Sequence, residues 1–298
     1  METRRLGKTG LDVSVLGFGG AEIGFEKADQ STVDKLLNSA LDAGLNVIDT
    51  AAVYPDSEAK IGAAISSRRD DFFLFTKCGN PTSSDSQFWN ASALTESIDR
   101  SLKDLRTDHV ELVQLHSCNA EILARGDAIR VLQVARDAGK TRFIGYSGDN
   151  QNAIAAIESG VFDTLQTSIN IADQSVIDGP LAKARAAGMG VIAKRPIANA
   201  AWKTGSKPVS TYHHAYWDRL QVLKYDFLRG DLEESISIAL RFTLAQAGVA
   251  TAIVGTTKAE RWSANAKLLD SGTLGPQMIE QIRSRWKEAA QSTWVGQT

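Results

Sequence analysis

Eight short apolar runs recur along the sequence, and a stretch with helical spacing follows each one. Arg5-Leu6, the Gly7–Gly10 turn and Asp12–Ser14 read as a hairpin ahead of the first run. The runs then fall at Val15–Gly19, Asn46–Asp49, Phe72–Thr76, Val110–His116, Thr141–Ser147, Thr164–Ser168, Gly190–Lys194 and Thr251–Gly255. Between them, Val33, Leu36, Leu37, Ala40 and Leu41 mark a helical face that Gly44 ends. Glu58–Ile65, Ala91–Leu105, Asp127–Ala138, Ala153–Glu158, Leu181–Ala187 and Leu232–Ala247 read as further helices. Ala259–Leu269 and Pro276–Ala290 close the sequence. Strict alternation argues for parallel strands covered by helices, because parallel neighbours need a crossover between them. A doubly wound sheet meets that rule too, but eight repeats in 298 residues favour a closed barrel. The expected fold is an α/β (β/α)8 TIM barrel with an N-terminal β-hairpin and extra C-terminal helices. It reads as one domain over residues 1–298, with an insert at about 195–230 where Trp202, Pro208, Tyr212, His213-His214 and Trp217 break the rhythm.

Charge and composition narrow the function. A formal charge of −2 without a basic block leaves no field to recruit nucleic acid or acidic lipid. No apolar stretch is long enough to span a bilayer, and none follows the charged first residues as a secretory leader would. Cys78 and Cys118 are too few for a disulfide framework, so a reduced, cytoplasmic setting is expected. Four histidines without metal-ligand spacing predict no metal site.

In such a barrel the chemistry sits at the C-terminal ends of the strands. The second run ends at Asp49, with Tyr54 on the loop behind it; the third ends at Lys77; the fourth ends at His116. Taken singly, each has an ordinary reading: a helix cap, a surface aromatic, a solvated lysine, a core histidine. Together they bring a carboxylate, a phenol, an ammonium and an imidazole to one rim. Adding hydride to a carbonyl builds negative charge on oxygen and calls for a proton. A phenol near pKa 10 donates sluggishly at neutral pH, and an adjacent ammonium favours its ionised form. The expected roles are Tyr54 as general acid, Lys77 and Asp49 as its tuning pair, and His116 as orienter of the substrate oxygen.

The stretches IDTAAVYPDSEAKIG, FLFTKCG and ELVQLHS, with the opening RRLGKTGLDVSVLGFGG, resemble the aldo-keto reductase superfamily from Arg5 to about Leu269. The family's Asp, Tyr, Lys and His tetrad falls on Asp49, Tyr54, Lys77 and His116. The resemblance implies the eight-stranded barrel, a nicotinamide cofactor bound across its mouth, and reduction of aldehydes or ketones. It also permits a monomer or a weak homo-oligomer. Ser147 and Gln166 take the carboxamide positions; Gly148 stands where a second polar side chain is usual, and Asn150 is an open replacement. IVGTTKAERWSAN resembles the adenosine-phosphate motif, which implies Gly255, Thr256 and Thr257 on the phosphate side. Arg261 then faces the 2′-phosphate, Asn265 the adenine, and Lys258 adds charge nearby. An arginine there gains more from a phosphate dianion than from a ribose hydroxyl, favouring NADPH/NADP+. Relatives often place an aromatic after the seventh strand, where this sequence has Lys194 and Arg195; one of these is expected to meet the nicotinamide ring or the pyrophosphate.

Ala21 and Glu22 at the first strand end shape a more open or polar pocket, and Trp89 with Phe88 either walls it or covers the barrel. Gly17, Gly19, Gly20 and Gly24 miss the dinucleotide fingerprint and read as close backbone packing. The insert reads as a lid or as a surface loop. The substrate expected is a small carbonyl compound or sugar. Two other functions compete: a lyase using Lys77 as a Schiff base, and a non-catalytic sensor of the cofactor.

Overall fold

The structure is a computed structural model that describes residues 1–79 and 88–297. Strands β1 (Thr3–Arg5) and β2 (Asp12–Ser14) pair as an antiparallel hairpin. The barrel among the described residues comprises β3 (Leu16–Gly19), β4 (Val47–Asp49), β5 (Phe73–Cys78), β6 (Val110–His116), β7 (Thr141–Ser147), β8 (Thr164–Ser168), β9 (Gly190–Lys194) and β10 (Val249–Gly255). They run parallel in chain order, and β10 pairs back onto β3 to close the ring.

The hairpin decides which end of the barrel is free. Its Leu6 and Val13 join Val47, Phe75, Leu112 and Ile192 in one buried apolar cluster. Successive strand residues face opposite sides, so two positions further along each strand the same face returns. From Val47, Phe75, Leu112 and Ile192 that step reaches Asp49, Lys77, Gln114 and Lys194. An apolar layer plugged by the hairpin therefore lies beneath a polar layer at the C-terminal mouth.

Side-chain caps fix several helices where the sequence places them. Asp29 accepts from the Thr32 amide ahead of Gln30–Asp42, and Asn90 from Ala93 ahead of Ala91–Asp104. Asp231 does the same through Glu234 ahead of Leu232–Leu244. Two short helices, Ala21–Phe25 and Ala120–Arg125, stand where no helix was expected, each too short to show a period. The insert folds into a helix, His214–Leu223, flanked by 3-10 turns. Its Tyr216, Leu220 and Leu223 are buried with Phe242, Ile282 and Trp286, and Trp202 Nε1 donates to Ser235 Oγ at 2.9 Å. The helix is packed, while residues 203–212 between Trp202 and the helix stay mostly exposed. No helix among the described residues is long and apolar enough to cross a membrane.

Helix Ser57–Ile65 seats against the end of Ala91–Asp104 at Gly62, where a Cβ would lie 2.3 Å from the Asp104 carbonyl oxygen. The obstacle is backbone and cannot swing aside. Gly62→Ala is therefore expected to destabilise by roughly 1–3 kcal/mol. A thermal melt should show the midpoint falling by roughly 2–4 °C per kcal/mol; an unmoved midpoint would mean that the helix seat is loose.

Candidate active site

Lys77 lies inside the barrel mouth, where Nζ donates to Asp49 Oδ2 at 2.5 Å and to the Thr50 carbonyl at 2.8 Å. The second oxygen of Asp49 accepts from Gln114 Nε2 at 3.1 Å and Gln166 Nε2 at 2.9 Å. Gln166 is turned so that its Oε1 accepts from Ser147 Oγ at 3.0 Å. The Asp49 and Lys77 side chains are at most 2% exposed, so this pairing and the hydrogen bonds around it make their charges tolerable. Burial works to lower the Lys77 pKa, but Asp49 and then Tyr54 outweigh it and hold it above its ordinary value. Lys77 is an ammonium.

Tyr54 follows β4 on a tight loop, its amide donating to the Ala51 carbonyl at 3.0 Å. Its ring centroid is 5.3 Å from Lys77 Nζ, 5.8 Å from the His116 ring and 5.6 Å from that of Phe25, both aromatic neighbours edge-on. The lowering of the phenol pKa expected from Lys77 is present, yet burial is larger and the net direction is upward. Asp49, Tyr212 and Glu22 push the same way. The net lowering is thus corrected: the free protein keeps the phenol protonated. His116 is 8% exposed and held well below its ordinary pKa by burial, then by Lys77 and Lys194, so it is neutral. Its Nδ1 is buried and has no hydrogen-bond partner among the described residues.

The rim beyond the tetrad is mixed. A Cβ on Gly148 would lie 2.6 Å from the Tyr146 hydroxyl, which donates to the Cys118 carbonyl; hence no side chain at that position. Asn150 is spent on the backbone of Gly296, donating to its carbonyl at 2.9 Å and accepting from its amide at 2.6 Å. Lys194 pairs with Asp149 at 2.7 Å, and Arg195 stacks on Tyr212 with Cζ 4.9 Å from the ring centroid. Gly255, Thr257 and Lys258 lead into helix Ala259–Lys267, whose N-terminus suits an anion. Arg261 and Lys258 are exposed there and Asn265 is buried, while Thr257 Oγ1 donates to Glu26 at 2.7 Å. Ala21 opens the short helix beside the mouth. Trp89 is 2% exposed and its ring lies on Gly79. Most of the loop expected to shape the pocket there, residues 80–87, lies outside the described residues.

Sequence reasoning missed Gln114, Asp149 and Phe25. Gln114 had a readable signal, since it is a polar residue in phase with Leu112 and His116 on a buried strand. Asp149 had none, because its partner Lys194 lies 45 residues away (194 − 149).

The residues fit a nicotinamide dinucleotide in one checkable respect: the orphaned His116 Nδ1 and the Ser147–Gln166 pair line one mouth. The depressed His116 pKa also has a stability consequence. The unfolded chain takes a proton near pH 6.5 that the folded chain refuses, so stability falls as pH drops below about 6.5. Urea melts of His116→Gln should show a shallower loss in that range than wild type; parallel curves would contradict the assignment.

A family model described as the Aldo/keto reductase family matches residues 15–287. L-galactose dehydrogenase from Arabidopsis thaliana is 25% identical over 99% of this chain and 97% of its own length. Among solved structures, the holo form of an aldo-keto reductase from Bacillus halodurans superposes with a TM-score of 0.83 at 24% identity, covering 98% of this chain and 99% of that one. An aldo/keto reductase from Klebsiella pneumoniae, in complex with NADP and acetate, gives 0.73 at 23% identity, covering 98% and 97%. With its closed barrel and the family model spanning most of its length, this chain belongs to the aldo/keto reductase family of oxidoreductases.

Proposed function

We propose that this protein is an NADP(H)-dependent oxidoreductase that interconverts an aldehyde or ketone with its alcohol, sugars included, with Tyr54 as general acid and base. The observation that carries this reading is Lys77 locked between Asp49 and Tyr54 at the barrel mouth. The bound cofactor supplies hydride; everything else falls to the chain. Asp49 fixes the ammonium, which stabilises negative charge on the Tyr54 oxygen as its proton leaves. Neutral His116, edge-on to Tyr54, orients the substrate oxygen by hydrogen bonding without adding a second charge. Ser147 and Gln166 are the groups for a carboxamide, already oriented by their bond to each other. Gly255, Thr257 and Lys258 would hold phosphate, Arg261 a 2′-phosphate and Asn265 the adenine. NADP in the Klebsiella structure and the sugar substrate named for the Arabidopsis relative support this reading. Schiff-base chemistry at Lys77 is disfavoured, because Asp49 keeps the amine protonated and without a lone pair.

A carbonyl and sugar panel followed by NADPH absorbance tests the reading. Tyr54→Phe should lose turnover by about 10²–10⁴-fold while cofactor fluorescence titrates as in wild type. Wild-type turnover in that variant would remove Tyr54 from the mechanism, and no turnover by wild type on any substrate would favour the sensor reading. The sign of the pH dependence follows from the raised phenol pKa. Reduction needs the phenol and should hold through neutral pH, whereas alcohol oxidation needs the phenolate and should climb with pH. Arg261→Ala should weaken NADPH by roughly tenfold or more, the scale of a charged hydrogen bond, and leave NADH nearly unchanged. Equal losses for both cofactors would place Arg261 elsewhere.

A further inference from the structure

One stretch of chain crosses the mouth on the side where the nicotinamide end of the cofactor is proposed to lie. The Gly296 backbone occupies both ends of the Asn150 amide, at 2.9 and 2.6 Å. The Gln297 carbonyl accepts from Ser168 Oγ at 3.0 Å and from Arg195 Nη1, and the Gln297 amide donates to Asp173 Oδ2 at 3.2 Å. Ser168 ends β8, Arg195 follows β9, and Asn150 lies three residues beyond β7. The segment therefore spans three adjacent strand ends, with Gly296 buried against Asp149. Its root is held separately: Trp294 packs on Trp286 at 5.4 Å, and Arg219 donates to the Val295 carbonyl at 2.5 Å.

We propose that residues 296–297 form a strap across the β7–β9 side of the mouth that the dinucleotide displaces when it binds. The inference rests on the reading of Arg195 and the neighbouring Ser147–Asn150 rim as cofactor contacts. Gly296 engages both polar atoms of the Asn150 amide, which a carboxamide would otherwise meet. Arg195 gives one of its donors to a neutral carbonyl, and a phosphate oxygen is the stronger acceptor for a guanidinium. Arg195 also sits at φ 55°, a left-handed conformation that a non-glycine residue adopts only when its surroundings hold it there. The cofactor thus has the better claim on a group the strap borrows. The Trp294 root stays in its apolar seat, so only the tip has to move.

Two measurements test this. In the wild-type protein the Gly296 and Gln297 amides are both hydrogen-bonded to side chains, so their exchange with deuterium should be slow and should accelerate on saturation with NADP+. Gly296→Val cannot seat, since a Cβ there would lie 2.8 Å from the Asp149 Cβ. It should tighten NADPH binding by about fivefold, because the closed fraction no longer competes. Slower exchange with cofactor, or an unchanged or weaker Kd in a folded Gly296→Val, would overturn the strap. Should the variant fail to fold, the wild-type exchange experiment decides alone. If wild type binds neither NADPH nor NADH, the cofactor reading falls and the strap with it; if it binds while the strap amides become more protected, only the strap falls.

Discussion

The ion pair of Asp49 and Lys77 is the constraint to which the rest of the mouth conforms. Two opposite charges sealed from water inside a barrel carry a desolvation cost that their mutual attraction repays only with good geometry and further hydrogen bonds. Here Thr50 supplies a carbonyl to Lys77, and Gln114 and Gln166 supply amides to Asp49. That demand reaches further than the pair. Because Gln166 must present nitrogen to Asp49, its oxygen faces the other way and takes the Ser147 hydroxyl. A chain of fixed orientations thus runs from β5 through β4 and β8 to β7. Ser147 and Gln166 are thereby held in fixed orientations by the protein itself, the kind of preorganisation that spares a site from rearranging during reaction.

Burial is what keeps the proton on the phenol: it outweighs Lys77, which favours the phenolate, while Asp49 offsets part of that pull. Tyr54 is consequently a donor at rest whose ionised form has a cation next to it. His116 follows the same electrostatic logic: burial, then two nearby lysines, leave the imidazole uncharged. An uncharged imidazole suits the role of hydrogen-bonding partner in a site that already holds a buried cation.

The barrel itself was legible because its period is written in every element. Four strands, Val110–His116, Thr141–Ser147, Thr164–Ser168 and Gly190–Lys194, match their expected bounds residue for residue. Others shift by a residue or two at the ends, as Phe73–Cys78 and Val249–Gly255 do. The charged residues at strand ends were visible because an apolar run that stops on Asp, Lys or His is conspicuous. What stayed hidden depends on pairing across the ring. Nothing local to Lys194 announces Asp149, and nothing local to Asn150 announces Gly296. The burial of Trp89 was equally illegible, because an aromatic beside a polar loop can turn either way.

The departures from the family's pattern are better understood as one packing solution than as separate substitutions. Tyr146 points its hydroxyl to the Cys118 carbonyl, and the ring takes the space that a side chain at position 148 would need. A glycine follows from that. Asp149, next in the chain, is then drawn inward: Oδ1 accepts from Thr167 Oγ1 and the Ser168 amide, both at the end of β8. Its other oxygen faces β9, where it needs a cation at close range, and Lys194 provides it at 2.7 Å. An aromatic at position 194 would leave that buried carboxylate unpaired, at a cost no stacking interaction repays. Gly148, Asp149 and Lys194 therefore stand or fall together. An aromatic introduced at 194 would be better tolerated with the acid at 149 removed as well.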